Sequence, residues 1–410
     1  MKRFVYGFVL LLGVAALALS CSRQRTPAPT RHSVPTEGSA LTARPEPAAP
    51  VSPAQPPSES RAQELTANAR LLAGLPVEGQ GPWAAVQERP SWKAHAKAMG
   101  ALWRQDDEAR LSKVRAFAQA RLASLDDAAP TVFYPFGGPD ALYPTALFPK
   151  ATAYVLVGLE PVGRPPDLAS LSRPELEASL KAMQQYITPI LQISFFRTDD
   201  MEQELQNKGV LPILMVFLAG TGHRIWDVEP MAVGPDGALV PSSWEKKPRA
   251  VRVDFSTKDA PERQSLFYFS QDLSDAGLKK RPEFEAYLAR LGRPVTFLKA
   301  ASYLMYEPWF SRIRSAILER SRAVLEDDSG LPLKAFHTNE WNLTFFGTYT
   351  GPIHRFKNCL QPDLQEAYAK GSALPLPFGI GYQHIAGHSN LMLAVRKRRG
   401  AEGHPEATGS

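Results

Sequence analysis

The sequence predicts an α/β protein: a mixed sheet with helices packed on it and an antiparallel, β-rich middle section. Three observations carry this. Apolar runs alternate with helical patterns at both ends of the body, strand-like segments punctuated by turns fill the middle, and one ten-residue run is apolar throughout. In order, residues 92–125 read as helix, because Leu111, Val114, Phe117, Leu122 and Leu125 keep roughly helical spacing among lysines and arginines. TVFYPFGGPDALYPTALFPKATAYVLVGLE, residues 131–160, reads as strand, glycine turn, helix-like segment and strand. SRPELEASLKAMQQYI starts with a capping box, Ser172 and Glu175, with Pro174 in the first turn. Leu176, Leu180, Met183 and Ile187 then give that helix one buried stripe. VLPILMVFLA, 210–219, reads as a strand buried on both faces. Gly234-Pro235-Asp236-Gly237 is a turn between two apolar segments, and AVRVDFS and SLFYFSQD are strand candidates. Helices return at 282–291 and 307–326, the second closed by EDDSGLP with Gly330 as C-cap. Asp327 and Asp328 there read as turn formers. WNLTFFGTYTG, a helix near PDLQEAYAKG, then PFGIGYQ and NLMLAVRK complete the body.

The ends speak to location. Lys2 and Arg3 precede an uncharged apolar run from Phe4 to Leu19, too short for a membrane span and placed as a secretory signal. Leu17, Ala18, Leu19 and Ser20 lead into Cys21, which resembles the lipobox of bacterial lipoproteins. The resemblance covers only this signal region. It implies cleavage after Ser20, a diacylated and N-acylated Cys21 and, with Ser22 rather than aspartate next, sorting to the outer membrane, periplasmic or surface-facing. Each buried acyl methylene contributes about 0.8 kcal/mol, so several chains (palmitate among them) make a firm anchor. Residues 21–62 are rich in Pro, Ala and Ser and almost free of large apolar side chains, so they read as a disordered tether. Residues 63–395 form the globular body, as one domain or two, and 396–410, opening with the basic run Arg396 to Arg399, read as a tail.

Charge and cysteine exclude some classes. Residues 1–64 hold seven basic against four acidic residues and 396–410 four against two, which leaves 36 against 35 for the body. A nucleic-acid-binding body carries its own positive bias, so no nucleic-acid partner is expected. If Cys21 is acylated, Cys359 has no disulfide partner in the chain and reads as a buried apolar thiol.

The strand, glycine turn, helix and strand of 131–160 also resemble a Rossmann-type unit, including its methyltransferase variety. There, Gly137 and Gly138 would sit where phosphate meets a helix N-terminus and Glu160 where an acid holds ribose hydroxyls. The chain departs from that pattern. GxGxxG is missing, Pro139 has no N–H to donate, and Asp140 would repel a phosphate but suits a helix start. The expectation is a structural βαβ unit with no cofactor.

Elsewhere, His384 and His388 in GYQHIAGHSN have a spacing that would converge on a divalent metal if helical, but Gly381, Gly387, Ser389 and Asn390 argue for a loop. Neither Ser194 nor Ser329 lies in GxSxG. Gly137, Gly138, Asp140, Glu160, His384 and His388 are thus the candidate ligand-site residues, with no catalytic set legible. The expected function is an envelope protein presenting an α/β body to a ligand or protein partner. The alternatives are an envelope hydrolase or metal-dependent enzyme, with its site near 137–138, 220–222 or 379–387, and a degenerate Rossmann or methyltransferase-like protein without cofactor.

Overall fold

The computed structural model describes residues 58–79, 81–195, 209–257 and 262–397. The signal, Cys21, nearly all of the tether and the tail beyond Lys397 lie outside them. The body is organised by one ten-stranded sheet. Its strands are β1 (Thr131–Tyr134), β2 (Ala153–Gly158), β3 (His223–Val233), β4 (Leu239–Pro241), β5 (Ala250–Thr257), β6 (Gln264–Ser270), β7 (Val295–Leu298), β8 (Ala323–Glu326), β9 (Trp341–Gly347) and β10 (Asn390–Arg396). Across the sheet they run β4-β3-β5-β6-β2-β1-β7-β8-β10-β9. The five from β6 to β8 are parallel to their neighbours, while β5, β3 and β4 extend one side as an antiparallel ladder and β10 and β9 the other. The mixed α/β class is therefore as read from sequence, and so is the antiparallel middle. SLFYFSQD belongs to both systems, since β6 pairs antiparallel with β5 and parallel with β2.

The helices are α1 (Glu59–Leu72), α2 (Pro82–Gln87), α3 (Pro90–Asp106), α4 (Ser112–Phe117), α5 (Ala123–Asp126), α6 (Leu142–Leu147), α7 (Arg173–Ile193), α8 (Leu211–Gly220), α9 (Asp275–Lys280), α10 (Pro282–Arg290), α11 (Ser311–Arg320) and α12 (Pro362–Ala369). Because side chains alternate along a strand, each sheet face has its own core. Val132 and Tyr134 of β1 and Tyr154 and Leu156 of β2 face α1, α3, α4, α6, α7 and α8. Phe133, Val155 and Val157 face α9, α10 and α11. From β1 the chain passes to β2, runs out to the ladder of β3, β4 and β5, comes back to β6 beside β2, and then crosses to the other side of β1 as β7 and β8. That reversal is the topological switch point of a doubly wound sheet, and ligands bind outside the carboxyl ends of the strands at such a point.

Four sequence readings need correction. VLPILMVFLA is not a strand but α8. Its leucines, methionine and alanine favour helix, Pro212 fits the first turn, and burial all round removes the stripe that would have marked it. The helix placed at 307–326 is only Ser311–Arg320; AVLE after it is β8, a four-residue strand buried on both faces and too short for a period to show. Asp327 and Asp328 therefore follow a central strand, not a helix. The body starts earlier than residue 63, because Ser58 caps α1 and Arg61 binds Asp227 at 2.8 Å and the Val228 carbonyl at 3.0 Å. At the other end Arg396 completes β10, stacks 4.3 Å over Trp341 and binds Glu340 at 3.2 Å, so it is framework rather than tail. Among the described residues no helix is long and apolar enough to cross a membrane.

Candidate functional site

The carboxyl edge of the parallel strands carries the chemistry. Five of the seven non-glycine residues with positive φ among the described residues lie there: Phe136 after β1, Ala300, Ser302 and Tyr303 after β7, and Ser194 at the end of α7. Each costs of order 1–2 kcal/mol in this left-handed region, so surrounding contacts must hold it there.

Phe136 packs edge-on against Phe310, and the contacts of the other four belong to a buried polar and charged network. Lys299, the first residue after β7, places Nζ 2.6 Å from Asp140 Oδ2, and both side chains are 2 % exposed. The ammonium lies 3.7 Å from the Tyr143 ring centroid and also donates to the Ser194 carbonyl, pinning that strained residue. Tyr134 donates to Asp140 Oδ2 at 3.0 Å. Behind Tyr143 stands Arg110, which donates to its hydroxyl at 3.2 Å, to the Gln192 carbonyl at 2.8 Å and to Asp106 at 3.3 Å. Arg110 is directed inward from a π-helical turn, Asp107–Leu111, that joins α3 to α4; such single-turn bulges recur at functional sites. Burial lowers the Lys299 pKa, and burial raises that of Asp106 to about 7 despite Arg110 beside it.

A second half of the network ties three loops together. Asp327, after β8, accepts from the Ala300 amide at 2.9 Å and from the Ser329 amide at 3.0 Å, so it holds the strained turn after β7. Asp328 accepts from the Tyr303 hydroxyl at 2.5 Å and from Asn390 Nδ2 at 3.0 Å, at the start of β10. Glu326 accepts from the Leu331 amide at 2.8 Å. Burial, reinforced by Asp328, raises Asp327 to about 7; burial also raises Asp328 and Glu326. Over this floor stack aromatic rings: Tyr303 parallel to Tyr382 at 6.4 Å, and Phe356 within 5.2 Å of both. Tyr382 binds Ser302 at 2.7 Å and the Ala300 carbonyl at 3.0 Å.

The structure brings Gly137, Gly138, Asp140 and Glu160 to one place. The βαβ unit is real, with β1 and β2 parallel and adjacent. Gly138 takes φ +54°, and a Cβ on Gly158 would stand 2.9 Å from the Gly138 Cα, so the two glycines let the β1 turn touch the end of β2. Glu160 folds back over them, accepting from the Tyr268 hydroxyl at 3.3 Å. The amides of the turn are engaged within the chain: Gly138 with the Val157 carbonyl at 3.1 Å, Asp140 with Gly137 at 3.2 Å and Ala141 with Pro139 at 2.8 Å. A phosphate at FGGPD would have to displace those bonds. Asp140, read as a helix-start residue, reaches the Tyr143 amide at only 3.4 Å; its main partner is Lys299.

His384 and His388 lie in a loop on the same edge. His384 is half-buried beside Phe195, and His388 is exposed. Among the described residues no group of three or more His, Cys, Asp or Glu could hold a metal. Ser194 is buried with its hydroxyl on the Gly381 carbonyl, and the buried Ser329 donates its hydroxyl to the Asp327 carboxylate; among the described residues neither is bonded to a histidine. Sequence reasoning missed Arg110, Lys299 and the stacked rings of Tyr303, Phe356 and Tyr382. A signal existed for Lys299, a lone lysine directly after the apolar run VTFL, but that run was too short to stand out.

A comparison of the chain with protein-family models and with curated proteins finds no match.

Proposed function

We propose that this chain is a lipoprotein of the cell envelope, acylated at Cys21, sorted to the outer membrane and holding its α/β body on a proline-rich tether to bind a ligand or partner. The binding surface is the carboxyl edge around the switch point. One observation carries this reading: the strained residues and buried charged pairs of the body concentrate on that single edge, where a doubly wound sheet presents ligands. Strain kept by a costly buried network marks a functional place more than a stability device. Two measurements test the proposal. Cys21→Ser should abolish acyl labelling and move the protein from the membrane to the soluble fraction; unchanged fractionation would defeat the anchor. Tyr382→Ala or Ser302→Val should weaken capture of whatever the wild-type chain retains from envelope extract, and undiminished capture would move the site elsewhere.

A second reading is favoured by one specific juxtaposition. Glu160 sits over Gly138 at the end of the second strand, the place where Rossmann-type and methyltransferase-like proteins hold a ribose. Under this reading the body is such a protein, with or without its cofactor, and Glu160 is the residue that would meet a nucleoside. A thermal shift with S-adenosylmethionine that Glu160→Gln removes would favour it over a non-nucleoside ligand. An envelope hydrolase draws less support, since the one serine hydroxyl on a carboxylate at this edge, Ser329 on Asp327, is fully buried and has no histidine beside it among the described residues.

A further inference from the structure

We infer that the body carries a second site, independent of the switch-point reading, that binds a phosphoryl group. A cavity of about 250 Å³ opens between the end of β3, the turn leading into β5, the end of β6 and the start of α10. β6 and β3 both end here and β5 begins here, so the cavity lies on the same carboxyl edge, beside the Glu160 loop. Ser270, in its wall, donates to the Leu159 carbonyl at 3.2 Å.

Its floor is apolar and buried, made by Met231, Phe269 and Phe284. Its rim is cationic: Lys246, Lys247, Arg249 and Arg281. The one acid lining it, Glu283, is 3.7 Å from Arg281. The acid next in sequence, Glu245, turns instead toward Arg164 at 3.9 Å. Among the described residues Lys246, Lys247 and Arg249 have no ion-pair partner, whereas many arginines of this nearly neutral body are paired. Lys247 is in addition one of two strained non-glycine residues away from the switch point among the described residues, at φ +48°. Four cations gathered around one hollow, with one acid to offset them, match an anion of two or more charges better than a single carboxylate. Arginine adds the planar fork suited to phosphate oxygens. The apolar floor suits a small organic body attached to that group.

The phosphoryl group can belong to a soluble compound or to a lipid headgroup, and two arms separate them. In the first, pyrophosphate is titrated into the mature chain carrying Cys21→Ser by calorimetry at constant ionic strength, with sodium chloride as the charge control. In the second, the same protein is floated with vesicles of phosphatidylglycerol and, separately, of phosphatidylcholine. The double variant Lys247→Gln/Arg249→Gln is expected to bind at least tenfold more weakly in whichever arm the wild type binds. Lys113→Gln/Lys181→Gln, equal in charge but remote and exposed, should leave binding unchanged. Circular dichroism confirms that both variants fold. Saturable pyrophosphate binding assigns a soluble ligand, and headgroup-selective flotation assigns a lipid. Binding in neither arm, or binding that both double variants weaken equally, overturns the proposal.

Discussion

Replacing Lys299 with methionine should destabilise the body by about 3–5 kcal/mol, the usual cost of removing one partner of a buried ion pair. Lys299 and Asp140 are each 2 % exposed and 2.6 Å apart, so Asp140 would be left with the Tyr134 hydroxyl at 3.0 Å and a long bond to the Tyr143 amide. Those neutral donors do not offset a buried carboxylate, which would have to bind a proton or admit water. Methionine fills the space of the lysine stem, so the loss is electrostatic rather than a cavity. The informative measurement is a double-mutant cycle by urea unfolding at pH 7.5, using Lys299→Met, Asp140→Asn and both together. The double variant should recover about 2 kcal/mol or more relative to the sum of the singles, because it buries no orphaned charge. If Lys299→Met costs less than about 1 kcal/mol, or the two changes add without coupling, the pair is not the keystone of this edge and does not hold its strained turns.

Three further outcomes follow from the geometry. Asp106 has its pKa raised by burial to about 7, so the folded state keeps a proton that the unfolded chain releases; stability should fall as pH rises from about 4 to 7 and level off above. Asp106→Asn should flatten part of that slope, of order 4 kcal/mol at most for the one group, and melting temperatures from pH 5 to 8 that track wild type would contradict it. Gly158→Ala would put a Cβ 2.8 Å from the Tyr268 hydroxyl and 2.9 Å from the Gly138 Cα, so a loss of roughly 1–3 kcal/mol is expected by denaturant titration; a neutral result would mean that the β1 turn can yield. A chain begun at residue 63 should melt below one begun at residue 58, because it lacks the Ser58 cap and the Arg61 bonds to Asp227 and Val228; equal melting would make the first turn of α1 dispensable.

How much was legible depended on length and on range. Residues 172–187 could be read directly, because a capping box and a stripe of four apolar residues are local signals, and α7 starts as they dictate, with the box formed. The strands of the middle were equally plain, since alternation and a Gly-Pro-Asp-Gly turn sit within a few residues of each other. The candidate site was half visible: Gly137, Gly138, Asp140 and Glu160 were found because a glycine turn between two strands is a short pattern. Arg110, Lys299, Asp327 and Asp328 were not, since each becomes a site residue only through partners far along the chain.

By itself, then, the sequence determined the α/β class, the capped helix, the antiparallel middle and the βαβ unit, all set by propensity and periodicity over a few residues. Only the tertiary structure decided that VLPILMVFLA is a helix, because an element buried on every side carries no periodic mark of which element it is. Only it placed AVLE between β7 and β10, and so put Asp327 and Asp328 at the carboxyl edge beside Ala300 and Asn390. Strand order is a long-range choice, and the buried charges of this edge acquire their partners, and hence their protonation states, from that order and from nothing nearer.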